Sequence, residues 1–340
     1  MPKIKNDRTF DMVFHLCKVL PCRQREEAVC DEEEPGCIHK LVHPQAREVR
    51  LLDKPATPKI THAPQTMTWP DGRTVAVIFN IAYEAWSDGK APGIGPMGNP
   101  LPSGNFDENA LSWGRYGSVN GINRLLRVLD RTKTRASVMV SGILAERQAA
   151  IVKSISQAGH EISAHSYAQD LIPSTLSADE DEKNIRDTTA AIEAATGARP
   201  KGWISPRGTA GAATVNRLVA AGYEWHSDVL DSDVPYSQEF PNGSIVAVPF
   251  GMEINDLPHA MRFGKTPRQF VENFNDFLEH ALLTKDSTFA IEVTAHAHCY
   301  GRPGGAWAYE EIAKVCVGRD DIWLPMRGEV ADHFKRHLGG

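Results

Sequence analysis

Glu84 directly follows an apolar, β-branched run (Thr74 to Tyr83) and is flanked by Tyr83 and Trp86. A lone Glu in that place is ordinarily a solvated loop residue. Aromatic walls, however, raise a carboxyl pKa by desolvation, and the group then suits a general base or a metal ligand. His165 ends the stretch GHEISAHSYAQD, with Ser166, Gln169 and Asp170 beyond it. Arg207 follows GWISP, where Pro206 fixes a turn and a guanidinium could grip a carboxylate with two hydrogen bonds. Asp228, Asp231 and Asp233 crowd HSDVLDSDVPY, either as a polar site or as turn caps. The densest stretch is TAHAHCYGRPGG, in which His296 and His298 alternate and so face one side of a strand. Two same-facing histidines followed by Gly-Arg-Pro-Gly are hard to justify as packing alone.

These residues share a place in the pattern. Apolar runs of strand length alternate with segments of helical period. Strands are expected at 74–83, 136–142, HEISAHS, GWISP, YEWHSD, SIVAVPF and FAIEVTAH. Between them, SVNGINRLLRVLDRT, ERQAAIVKSISQAG, GAATVNRLVAAG, FVENFNDFLEHALL and EEIAKVCVG read as helices, as does 177–197, with Ser177 as its N-cap and Gly197 past its end. Repeated strand-helix units make a parallel α/β sheet or barrel. In such folds catalytic groups sit at the carboxyl ends of strands. That rule selects Glu84, His165, Arg207, Asp228 and His296.

The 340 residues, 41% hydrophobic, suffice for one large α/β domain. A net charge of -6 argues against a nucleic-acid partner. No run reaches the roughly 18 apolar residues of a membrane span, and the amino terminus, broken by Asp11, His15 and Lys18, makes a poor signal peptide. A cytoplasmic protein without membrane or nucleic-acid partners is the expectation. Residues 1–66 differ from the rest: they hold Cys17, Cys22, Cys30 and Cys37, the acidic run 31–34 and a proline-spaced tail. The cysteine spacing lacks the tight pairs of a zinc knot, so reduced thiols on an amino-terminal arm are expected. The compact domain is assigned to 67–340.

The stretches WPDGRTVAVIFNIAYE, RYGSVNGINRLLRVLD, GHEISAHSYAQD, GARPKGWISPRG, HSDVLDSDVPY, VPFGMEINDL and HAHCYGRPGG together resemble the polysaccharide deacetylase (NodB-type) superfamily. They are most similar to its subgroup of metal-independent allantoinases and bacterial cyclic imide hydrolases. The resemblance covers about 69–334 and implies a distorted (β/α) barrel of about seven strands. The sequence departs from the sugar deacetylases at their metal site. Tyr83-Glu84 stands in place of paired aspartates, and Gln169 in place of the second histidine of a His-x-x-x-His ligand pair. Gln is a poor zinc ligand. The cofactor expectation is therefore none, or a divalent metal such as zinc weakly held by Glu84 and His165, with His298 or Asp170 as possible further donors.

The resulting expectation is hydrolysis of a C–N bond in a small cyclic amide, imide or ureide. Glu84 serves as base or metal ligand, and His296 as proton donor or oxyanion support. Arg207 orients Glu84 or binds a substrate oxygen, and Asp228 sets a histidine tautomer. Trp86, Tyr116, His298, Asn255 and Asp256 are candidate substrate contacts, Tyr116 and Asp256 chiefly through the resemblance. The partner is a small-molecule substrate, with self-association into a homo-oligomer also expected. The alternatives are a zinc-dependent N-deacetylase of an amino sugar or other acetylated amine, and an inactive ligand-binding member.

Overall fold

The computed structural model describes residues 57–338 except 100, 103 and 285–287. The cysteine-rich front and most of the expected arm lie outside the described residues. The strands are β1 (Lys59–His62), β2 (Val75–Tyr83), β3 (Ser137–Val140), β4 (Glu161–Ala164), β5 (Gly202–Trp203), β6 (Trp225–His226), β7 (Tyr236–Phe240), β8 (Gly243–Ala247), β9 (Ile254–Asn255), β10 (Phe289–His296) and β11 (Ile322–Trp323). The α-helices are α1 (Glu108–Tyr116), α2 (Ile122–Thr132), α3 (Gly142–Arg147), α4 (Ala149–Gln157), α5 (Ala178–Thr196), α6 (Thr214–Ala220), α7 (Pro267–Leu283), α8 (Pro303–Cys316) and α9 (Arg327–Leu338). A π-helical turn, Gly117–Gly121, joins α1 to α2.

The sheet runs β1-β7-β8-β6-β5-β4-β3-β2-β10-β9, with β11 also on β2. From β8 to β9 every pairing is parallel; β7 and β1 add an antiparallel edge. The seven strands expected from the sequence are β2, β3, β4, β5, β6, β8 and β10. The four added ones are two-residue pairings or edge strands, too short or too polar to carry a period. β1 lies within the stretch assigned to the arm and pairs with β7.

The hydrogen-bonded path does not close between its ends, yet the sheet is rolled. β6 and β10 stand five steps apart, which in a flat sheet would be roughly 24 Å. The single guanidinium of Arg327 nevertheless bonds Ser227, just past β6, and Glu292 on β10. The sheet curls around that side chain as a distorted, open barrel.

The two faces divide the residues by parity. On β2, Val75, Val77, Phe79, Ile81 and Tyr83 pack outward in the main core with the helices, while Ala76, Ile78 and Ala82 face inward. On β10, Ile291, Val293 and Ala295 belong to the outer core. Even positions on β2 and β10 therefore point into the barrel, and the register continues through Glu84, His296 and His298. Outward Ala164 on β4 sets the opposite parity there, so Glu161, Ser163 and His165 face in. Helix ends follow from local sequence: Ser177 and Glu180 form a capping box on α5, which stops at left-handed Gly197.

Candidate active site

Four inward residues meet at the carboxyl end of the barrel. Glu84 Oε1 lies 3.0 Å from His165 Nε2 and 3.8 Å from His296 Nε2, and its Oε2 lies 3.6 Å from His298 Nδ1. All four are buried, none more than 8% exposed. Burial alone would raise the Glu84 carboxyl, but His296, the hydrogen bond from His165, and His298 outweigh it and bring it down to about 2. The carboxylate is ionised throughout the neutral range.

The histidines differ in what stands behind them. Burial pushes His296 down, but the charges of Asp256 and Glu84 overcome it and raise the ring to about 9. Its Nδ1 bonds Asp256 Oδ1 at 2.6 Å, and Asp256 Oδ2 accepts from the backbone N–H groups of His296 and Tyr300, both at 2.9 Å. Asp256 is fully buried, follows β9, and is brought beside His296 because β9 pairs with β10. His298 has no such support. Burial lowers it to about 4, its ring stands edge-on to Trp86 and Trp113, and its Nδ1 has no hydrogen-bond partner.

His165 Nδ1 lies 2.6 Å from the carbonyl oxygen of Ile204. That contact requires Nδ1–H, so a neutral ring turns an Nε2 lone pair toward Glu84. Two lone pairs 3.0 Å apart need a cation between them, either a second proton on His165 or a metal ion. Glu84 and His165 thus fit two positions of a coordination shell. Gln169 does not complete it as a histidine would: its amide nitrogen donates to Ser141 Oγ and to the His165 carbonyl. Among the described residues no group of three His, Cys, Asp or Glu is arranged to hold a metal. The donor set fits a loosely held divalent cation. Gln169 also does a different job. Its backbone N–H donates to the Ala85 carbonyl, and Ser141 Oγ accepts from the Ala85 N–H, so the pair pins the backbone beside Glu84.

A cavity of about 570 Å³ opens over this cluster. Glu84, His296 and His298 line its floor, with Trp86 and the Pro92-Gly93-Ile94 loop on one wall. Arg207 and Arg262 line it as well. Arg207 sits in a left-handed conformation, φ 61°, that non-glycine residues rarely adopt. It makes no ion pair with Glu84, whose nearest basic neighbours are the three imidazoles.

The expected site residues are therefore sorted by position. Glu84, His165, His296, His298, Trp86 and Arg207 come together at or around the cavity. Asp228 does not bond a histidine ring through its carboxylate, which takes Ser205 N and Oγ, each at 2.6 Å. The physical reason is adjacency: β6 neighbours β5, where Ser205 follows, whereas β9, beside β10, is followed by Asp256. Asp256, expected on a substrate wall, instead holds His296. Tyr116 lies outside the cavity lining, with Arg124 on its hydroxyl at 2.7 Å and Arg302 over its ring at 4.0 Å. Asn255 is buried and caps the Leu257 N–H at 3.2 Å. Arg262 was not singled out from the sequence. It ends a π-helical turn, Pro258–Arg262, in a segment without a readable period.

Behind the turn that carries His296 and His298 the packing is backbone on backbone. A Cβ on Gly121 would lie 1.8 Å from the Ala297 carbonyl oxygen, and one on Gly301 would lie 2.0 Å from the same atom. The π-turn between α1 and α2 thus rests directly on the turn that carries His296 and His298.

Comparison with known proteins agrees with this architecture. The polysaccharide deacetylase family model matches residues 105–226, which include His165, Gln169 and Arg207. A putative polysaccharide deacetylase of Schizosaccharomyces pombe is 22% identical, covering 78% of this chain and 92% of its own. A peptidoglycan deacetylase of Helicobacter pylori is 24% identical over 75% and 95% of the two chains. Among solved structures, Puue allantoinase superposes with a TM-score of 0.74 at 21% identity, covering 81% of this chain and 95% of its own. A putative polysaccharide deacetylase from Mycobacterium smegmatis superposes with a TM-score of 0.67 at 28% identity, covering 84% and 95%.

Proposed function

We propose that this chain, which carries a polysaccharide deacetylase domain and so belongs among hydrolases of C–N bonds, opens a small cyclic amide, imide or ureide. The observation behind this reading is the cavity itself. The Pro92-Gly93-Ile94 loop and Trp86 wall in the space above Glu84 and His296, leaving room for a ring more naturally than for an extended sugar chain.

The chemistry follows from the protonation states. Water adds to the ring carbonyl beside Glu84, which accepts one of its protons. His296, kept protonated by Asp256 and Glu84, gives a proton to the ring nitrogen as the C–N bond breaks. The proton on Glu84 returns to His296 across 3.8 Å, leaving an open-chain carboxylic acid and a free nitrogen. Glu84 held at about 2 is a weak proton acceptor, so water activation is the demanding step. Where a divalent cation is bound, Glu84 and His165 hold it, and it supplies polarisation of the carbonyl or acidification of water. Asp256 fixes the His296 tautomer, and Gln169 and Ser141 keep the Glu84 backbone in place.

A zinc-dependent N-deacetylase is the second reading, favoured by the names of the two relatives. One assay separates the two. The purified full chain is offered cyclic imides, cyclic ureides and N-acetylated sugars, with and without chelator, alongside elemental analysis. Ring opening with less than one zinc per chain is expected. Acetate release from sugars, abolished by chelation, with one zinc per chain, would overturn the ring-opening reading.

A further inference from the structure

We infer that the substrate is an anion, a cyclic amide bearing a carboxylate or comparable acidic group that Arg207 and Arg262 take at the cavity wall. This deepens the ring-opening reading and rests on it. Arg207 and Arg262, both exposed, line the cavity that holds Glu84, His296 and His298, and neither has a carboxylate partner among the described residues. Elsewhere Arg115 pairs with Glu108, Arg131 with Glu310, Arg135 with Glu329 and Arg147 with Asp88, while Arg127, Arg268 and Arg336 also lack a carboxylate partner among the described residues but do not line this cavity. The two that face the cavity are the ones left over there. The other acid of the lining, Asp170, accepts the Ser87 N–H at 2.8 Å and forms no ion pair with either arginine.

One further observation points toward a ligand. Arg207 is held in the left-handed region, next to left-handed Gly208, in a turn tied down by the two Asp228–Ser205 bonds. Strain of that kind persists only where surrounding structure enforces it, and here it directs the residue to the cavity. The floor of the cavity offers Glu84 and His296 to a ring. A ligand matching both ends has its amide at that floor and an anion at the arginines. A guanidinium binds a planar carboxylate through paired hydrogen bonds, so the arginines select charge and shape together.

The test uses a matched pair, dihydrouracil and its 6-carboxylate. The wild-type chain should open the carboxylate with kcat/KM about 30-fold higher, the size of a charged hydrogen-bond contact. In Arg262→Gln the ratio should shrink, and in the Arg207→Gln, Arg262→Gln double variant it should approach one, with circular dichroism verifying that the variants fold. A wild-type ratio near one, or a preference that survives both substitutions, overturns the inference. Should neither ring be opened, the ring-opening reading fails, and binding decides the inference separately. Calorimetry with glutarate and its neutral diamide supports it if glutarate is preferred and Arg262→Gln removes the preference. Equal binding of the two overturns it.

Discussion

The same three strands carry two buried polar clusters, one at each end of the barrel. On β2, Asn80 precedes Glu84 by four residues; on β4, Glu161 precedes His165; on β10, Glu292 precedes His296. Four residues along a strand is roughly 13 Å on one face. The lower cluster is built around Arg327, which bonds Asn80 through Nε, Ser227 through Nη1 and Glu292 through Nη2, while its backbone N–H donates to Ser137 Oγ. Glu161 takes Ser137 Oγ and the Gly328 N–H. Contacts to the guanidinium are direct, although Glu292 Oε1 lacks a partner and burial lifts that carboxyl to about 7. The upper cluster has gaps of 3.6–3.8 Å around Glu84, an unpartnered His298, and a cavity above. Its basic groups are imidazoles, of which His296 is raised to about 9 and His298 lowered to about 4. The same strand placement thus yields a structural plug where one guanidinium spans the strands by direct bonds, and a reactive centre where gaps remain around the carboxylate beneath an open cavity.

This contrast is open to attack, and the largest expected effect is at the upper end. Glu84→Gln keeps shape and removes charge, and should lower turnover by about 100-fold to 10,000-fold. Its thermal midpoint should stay close to the parent's. A large loss of stability with turnover preserved would reverse the roles of the two clusters. Arg327→Met should do the opposite. It leaves Glu292 buried and unpaired and should cost about 3–5 kcal/mol, read from the denaturant midpoint. Adding Glu292→Leu should recover most of that loss, because the pair can be replaced by apolar side chains where one lone partner cannot remain.

His296→Ala should lower turnover by about the same factor as Glu84→Gln, more so for substrates with basic leaving nitrogens. The double variant should be far less impaired than the product of the singles. Because His296 must be protonated to donate, turnover should fall as pH rises through about 9. In Asp256→Asn the alkaline limb should move to lower pH, since the charge that raises the ring is gone. A limb unmoved by that change would assign it to another group. The smallest effect concerns Gln169. Gln169→Ala should cost about tenfold or less by loosening the Ala85 backbone. Gln169→His should raise zinc affinity, measured by competition with a chelator, and a variant that binds no more zinc than the parent would count against the Glu84–His165 donor pair.

The site was legible where chemistry coincides with strand periodicity. Glu84, His165, His296 and His298 sit at or just past strand ends, and alternation alone put the last two on one side. The seven strands long enough to show a pattern were also legible. Asp256 was harder to read because its function depends on β9 lying beside β10, and β9 has only two residues. Asp228 misled for the same reason: acid clusters announce polarity, but only sheet order says which neighbour they meet. Arg262 lies on a π-helical turn whose period matches neither template. The lower plug was invisible because Arg327 reaches the barrel from a helix more than thirty residues past Glu292 in the chain.

The glycine contact behind the histidine turn limits how this enzyme can be altered. With Gly121 and Gly301 both against the Ala297 carbonyl, no side chain fits at either position without displacing the backbone that holds His296 and His298. Substitution there cannot reshape substrate choice; it can only disturb the chemistry common to every substrate. Freedom to vary lies on the opposite rim, in the Pro92-Gly93-Ile94 loop and the turn ending in Arg262. A library meant to change selectivity while sparing catalysis belongs on that rim, and one aimed at the α1–α2 junction should return mostly inactive clones.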